Sequence, residues 1–195
     1  MRPDPGQVLH FSEEPTITRF LPGVTSPYVW AVDWRNAPSY WFPRQCPRAM
    51  AWVRDITTDA DRDRIIGAGC GPRVHAIEYA WLPAMQTTIV YAYRLPAGPF
   101  HYMSSPDAEP HALVTTEPVT PLGPPEPVGD LLDLHARAGI QLRLLDNLWP
   151  FWDEVTASTL GFSGIRLRNA RPRPAVTPPE ASGRAASPAR RGPAG

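Results

Sequence analysis

Residues 88–95 read TIVYAYRL. Bulky side chains alternate along this stretch, and every second residue (Ile89, Tyr91, Tyr93 and Leu95) falls on one face of an extended chain. It is the clearest strand in the sequence. Working outward, 8–12 (VLHFS), 28–33 (YVWAVD), 48–53 (RAMAWV) and 140–145 (IQLRLL) carry the same kind of signal, with shorter candidates at 100–103 and 112–116 and a closing segment at 162–169. Helical spacing separates them. Residues 58–66 form a charged segment with a Thr or Asp cap and acids in its first turn. Residues 128–138 stop at Gly139, the expected residue just past a helix end, and 148–160 place Leu148, Trp152 and Val155 on one face. Two more stretches are expected to be helical. In 34–42, Trp34, Ala37 and Trp41 share a side; in 74–85, Ile77, Ala80, Trp81 and Ala84 do. The fold class expected is α+β, a twisted, mostly antiparallel sheet with peripheral helices.

The chain of 195 residues is 43% hydrophobic, which supports one buried core and not two comfortable domains. All seven Trp precede Ala170. The 26 Pro imply short elements and many connections. After Ala170 the apolar pattern stops, and RPRPAVTPPEASGRAASPARRGPAG is too poor in bulky apolar residues to offset the entropy of ordering it. The division expected is a disordered 1–6, one domain over 7–170 and a disordered tail over 171–195.

Nineteen basic and nineteen acidic residues sum to zero. The tail holds five Arg and Glu180, so the rest carries 14 Arg against 18 acids. A mildly acidic domain gives no general signal for nucleic acid. Every basic residue is Arg, which excludes a Lys nucleophile, a Lys Schiff base and a P-loop Lys. Two cysteines make no disulfide framework, no apolar run is long enough to cross a membrane, and the first residues lack a hydrophobic signal stretch. A cytoplasmic protein is the expectation.

Several side chains are chemically suggestive. His10, on the first strand, points away from Leu9 and Phe11 and shares its face with Ser12. Cys46 lies between Arg44 and Arg48, two cations that can activate a thiol, although a plain free thiol explains it as well. His75 and Glu78 fall i, i+3 and can meet on a helix. Glu13, Glu14, Asp33 and Glu117 contain a possible acid–base pair. Arg166 and Arg168, in the run IRLRNARPR, are expected on one strand face, suited to a phosphate, RNA or acidic partner, or simply to a charged edge strand. No CxxC, HxxxH or HExxH spacing points to a metal.

The segments VLHFSEEPTITRFLP (8–22), VWAVDWRNAPSYWFPRQCPR (29–48) and LWPFWDEVTASTLGFSGIRLRNARPR (148–173) resemble a bacterial family of uncharacterised proteins, a domain of unknown function. The opening LHFS strand and the V-W-A-V-D segment with its Tyr also resemble the start of ADP-ribosyltransferase-like folds. That resemblance implies a nucleotide- or NAD-handling enzyme. His10 would contact the nicotinamide riboside, Tyr40 or Trp41 would stack on nicotinamide, Arg44 would meet a phosphate, and Glu117 would bind the ribose 2′-OH. Ser12 would join His10. The sequence departs from that pattern in lacking an E-x-E or Q-x-E pair at Glu117 and a middle-strand S-T-S. The rival expectation is a non-enzymatic binding or accessory domain in which these polar residues are structural.

Overall fold

The computed structural model describes residues 2–23, 26–67, 71–103 and 111–174. Cys70, most of the glycine-rich loop around it and the tail from 175 onward lie outside the described residues. The fold is α+β. Ten short strands and four short helices alternate along the described chain.

The central sheet has four strands in the order β10 (Gly161–Ile165), β3 (Arg48–Trp52), β4 (Arg73–Glu78) and β9 (Gln141–Leu145). β10–β3 and β3–β4 are antiparallel, and β4–β9 is parallel. Alternation along its strands gives the sheet two buried faces. Met50, Trp52 and Ile77 face one core, with Trp41, Phe42, and Leu131 and Leu134 of helix α3 (Leu131–Arg137). Ala49, Ala51, Val74 and Ala76 face the other, where Ile65, Ile66, and Phe151 and Val155 of α4 (Trp149–Thr156) pack down. The small side chains on that second face let α4 approach closely.

Two three-stranded antiparallel sheets flank this one. The first runs β1 (Gln7–Ser12), β5 (Tyr91–Pro96), β8 (Glu126–Pro127). The second runs β2 (Val29–Ala31), β7 (Leu113–Thr115), β6 (His101–Tyr102). A pair of main-chain hydrogen bonds between Leu9 and Val32, both 2.8 Å, joins them. Val8, Tyr93, Leu95, Phe20, Val29 and Leu113 share one core, and Leu9, Val32 and Ala37 share a smaller one with Phe11 and Tyr40.

Two expected helices are corrected. Residues 73–78 are strand β4, followed by a 3-10 turn (Tyr79–Trp81) and only then α2 (Leu82–Thr87). Residues 34–42 give one 3-10 turn, Ala37–Tyr40, because Pro38 denies the segment a main-chain donor; the expected cap Asp33 is displaced by Asn36, which makes no side-chain cap bond, and Asp33 instead accepts the Asn36 N–H at 2.8 Å in the turn before it. The 58–66 segment forms with Thr58 as its cap, as α1 (Asp59–Asp61) running into a π-helical turn.

Candidate anion-binding site

The turn after Tyr40 carries two arginines with different tasks. Arg48, the first residue of β3, is 3% exposed. Its Nε donates to Ser39 O at 2.8 Å and its Nη1 to Cys46 O at 3.0 Å, which fixes the turn between them. The guanidinium lies 5.0 Å from the Phe42 ring centre and 5.8 Å from that of Tyr40. Burial pulls it down to about 10, the Cys46 thiol and Tyr40 phenol oppose the drop, and the cation of Arg166 adds to it. Arg44 is exposed. Its main-chain N–H donates to Glu13 Oε1 at 2.7 Å, tying the turn to the end of β1.

Arg166 and Arg168 arrive from the other end of the chain. β10 ends at Ile165, opposite Arg48. Arg166 then takes a left-handed conformation, φ 56°, and a 3-10 turn follows over Leu167–Asn169. The expectation that Arg166 and Arg168 share a strand face is therefore corrected: the strand stops before either. Asn169 Nδ2 donates to Gln45 O at 2.8 Å, which docks this turn onto the turn that carries Arg44. Partial desolvation lowers the Arg166 pKa, with further lowering from the cations of Arg168 and Arg44.

Arg166 thus lies within electrostatic reach of Arg44, Arg48 and Arg168, and the four form one group around it. Among the described residues none of the four makes an ion pair with Asp or Glu. Arg62, Arg64, Arg94, Arg137, Arg171 and Arg173 all do. Uncompensated guanidiniums brought together from two segments repel one another, and an anion that takes several of their N–H groups relieves that repulsion.

The five residues singled out from the sequence are spread around this group. His10 Nδ1 donates to Trp30 O at 2.7 Å and its ring packs 4.4 Å from that of Phe20. Burial lowers its pKa, opposed by the bond to Trp30, and the charge of Arg44 lowers it further. Ser12 is buried, and its Oγ accepts the Glu14 N–H at 3.1 Å. Tyr40 stacks parallel to Phe11 at 6.4 Å. His10 and Phe11 are consecutive on β1, so His10 and Tyr40 sit against opposite faces of that strand. Glu117 is exposed beyond the end of β7, with its N–H on Thr115 Oγ1 at 3.1 Å; its carboxylate makes no hydrogen bond or ion pair among the described residues. Only Arg44 of the five belongs to the arginine group, with His10 within reach of its charge.

Other candidates resolve differently. Cys46 is fully buried and burial pushes its thiol up to about 12, so the neighbouring arginine does not make it a nucleophile. His75 and Glu78 leave β4 on opposite faces because that segment is a strand. Glu78 instead accepts N–H groups from Leu148 at 3.2 Å and Arg171 at 3.0 Å. A surface groove of about 300 Å³, bounded by Pro15, Ile17, Pro121 and Pro124, carries no titratable side chain. No group of three or more His, Cys, Asp or Glu among the described residues is placed to hold a metal ion.

Across residues 9–170 the sequence matches the profile of a family of unknown function, DUF6886. The chain belongs to that family. The match leaves no strand of the DUF6886 fold outside it except the first two residues of β1. No curated protein and no solved structure matches the chain. The resemblance to ADP-ribosyltransferase-like folds therefore gains no support from these comparisons, and the DUF6886 match carries no activity with it.

Proposed function

We propose that this DUF6886 domain binds a phosphorylated small ligand, a nucleotide or dinucleotide such as NAD among the possibilities, through Arg44, Arg166 and Arg168, with Arg48 supporting them from behind. One observation carries the reading: four arginines from two distant segments stand together without a carboxylate partner among the described residues. Guanidinium forks match phosphate oxygens two at a time, and three or four of them suit a ligand with at least two negative charges better than a lone carboxylate. The opposite placement of His10 and Tyr40 about β1 favours a binding domain over a catalyst of the ADP-ribosyltransferase type, which would grip one ligand between such residues.

Calorimetry with pyrophosphate, ATP and NAD tests the proposal at fixed ionic strength. Saturable binding is expected, weakened at least tenfold in Arg166→Ala and Arg168→Ala and not weakened in Glu117→Ala, since Glu117 stands outside the arginine group. No heat at millimolar ligand, or affinity indifferent to the arginines, would sink it. NAD turnover that is lost on replacing His10 and Glu117 would restore the enzymatic reading.

A further inference from the structure

Arg166 and Arg168 sit on a strap whose far end is clamped. Beyond Asn169 the main-chain N–H of Arg171 donates to both carboxylate oxygens of the buried Glu78, at 3.0 and 3.1 Å. Trp149 Nε1 donates to Arg171 O at 2.7 Å, and Asn147 Nδ2 donates to Pro172 O at 2.9 Å. The Arg171 guanidinium pairs with Asp146. Arg173 pairs with Asp153 at 2.7 Å and lies 4.3 Å over the Trp149 ring. Residues 171–173, expected in the disordered tail, are thus docked on the start of α4. Of the four arginines in the run, two hold the strap down and two are left unpaired.

We propose that Arg171 and Arg173 are positioning residues for the anion site: by pinning the strap to α4 they hold Arg166 and Arg168 beside Arg44. This rests on the phosphate-binding reading above. A left-handed residue other than glycine is unfavourable on its own, and the strap has one fixed point on each side of it, β10 before and α4 after. With the second point released, the turn over Leu167–Asn169 gains freedom, and an anion must then restore its order on binding. Preorganisation of this kind sets affinity without any contact to the ligand.

The test separates positioning from simple charge by opposing their signs. Asp146→Asn with Asp153→Asn removes two negative charges and both ion pairs of the strap in the full-length chain. A pure charge effect tightens pyrophosphate binding. Loss of positioning weakens it, and at least a fivefold rise in Kd is expected, with tryptophan fluorescence showing the fold intact. Partial recovery is expected in the single variant Asp153→Asn, which keeps the Arg171 pair. An unchanged or lower Kd in the double variant overturns the proposal. Should the double variant fail to fold, the single variant Asp153→Asn, which breaks the Arg173 pair while removing a negative charge, carries the same expectation of weaker binding than wild type, and an unchanged or lower Kd overturns the proposal. If the wild-type chain does not bind pyrophosphate, ATP or NAD, the phosphate reading falls and this one with it; if it binds and the strap variants bind equally, only this one falls.

Discussion

Nδ1 of His75 lies 3.0 Å from Nε2 of His135, and the two rings are 0% and 1% exposed. The hydrogen-bond chain fixes their protons. His135 Nδ1 is 2.7 Å from Leu131 O, which can only accept, so His135 carries its proton on Nδ1 and presents a lone pair at Nε2. His75 must then donate from Nδ1, which leaves its own Nε2 as a buried lone pair with no hydrogen-bond partner. Both rings are neutral: a proton on His135 Nε2 would set two N–H groups against each other, and one on His75 Nε2 would bury a cation beside those of Arg73 and Arg48. Desolvation leads the lowering of both, with His75 well below its ordinary value and His135 at about 4. The unfolded chain takes up protons near pH 6.5 where the native one refuses them. Stability is therefore full above about pH 6.5 and is lost as pH falls towards 4, by about 3 kcal/mol at most from His135 alone. Urea midpoints at pH 7.5 and 5 should differ, and the double variant His75→Leu/His135→Leu should flatten the difference. Equal midpoints for the wild-type chain would remove the argument.

Cys46 lends itself to a kinetic check. Its Sγ points to Pro47 O at 3.6 Å inside a fully buried environment, and a thiol held near 12 has almost no thiolate at neutral pH. In a Cys70→Ser background, Ellman's reagent should label the native chain at least a hundredfold more slowly than the urea-unfolded one. Rapid labelling of the native state would mean that the turn 41–47 opens readily, and with it the platform under Arg44.

Glu78 ties three parts of the chain together. Its carboxylate, 2% exposed at the end of β4, serves the first turn of α4 through Leu148 and the strap through Arg171. Replacement by Ala leaves these N–H groups without an acceptor in a buried place. Each such orphan costs roughly 1–3 kcal/mol, so Glu78→Ala should lower unfolding free energy by about 2–3 kcal/mol with an unchanged denaturant slope. A loss under 0.5 kcal/mol would show that water replaces the carboxylate.

The strands with one polar side were legible because alternation is a local signal: TIVYAYRL and VLHFS both lie where the pattern puts them. β4 was not. It is buried on both faces, so Val74, Ala76 and Ile77 show no apolar–polar alternation, and the residues of the following turn and α2 completed a false helical spacing. The candidate site was half legible. Arg44 and the Arg166–Arg168 run each stood out in the sequence, but their meeting depends on the β10–β3 register and on Asn169 reaching Gln45. The His75–His135 contact, between a strand and a helix sixty residues apart, has no local signature at all.

The same register makes Gly161 a sharp probe of the sheet beneath the site. Gly161 pairs with Trp52 across β10 and β3. A Cβ there would lie 2.2 Å from Trp52 Nε1 and 2.6 Å from Cε2, so the indole must move. That ring also carries the Arg73 guanidinium 4.8 Å above it, and moving it disturbs a second strand. Gly→Ala in an open strand position is commonly stabilising through the unfolded chain, whereas here overpacking should make Gly161→Ala less stable by about 1–3 kcal/mol. Shrinking the partner tests the cause. If the indole is what the methyl meets, Gly161→Ala combined with Trp52→Phe should lose less than the sum of the two single losses. Strictly additive losses in urea denaturation would place the cost elsewhere than in the Gly161–Trp52 contact.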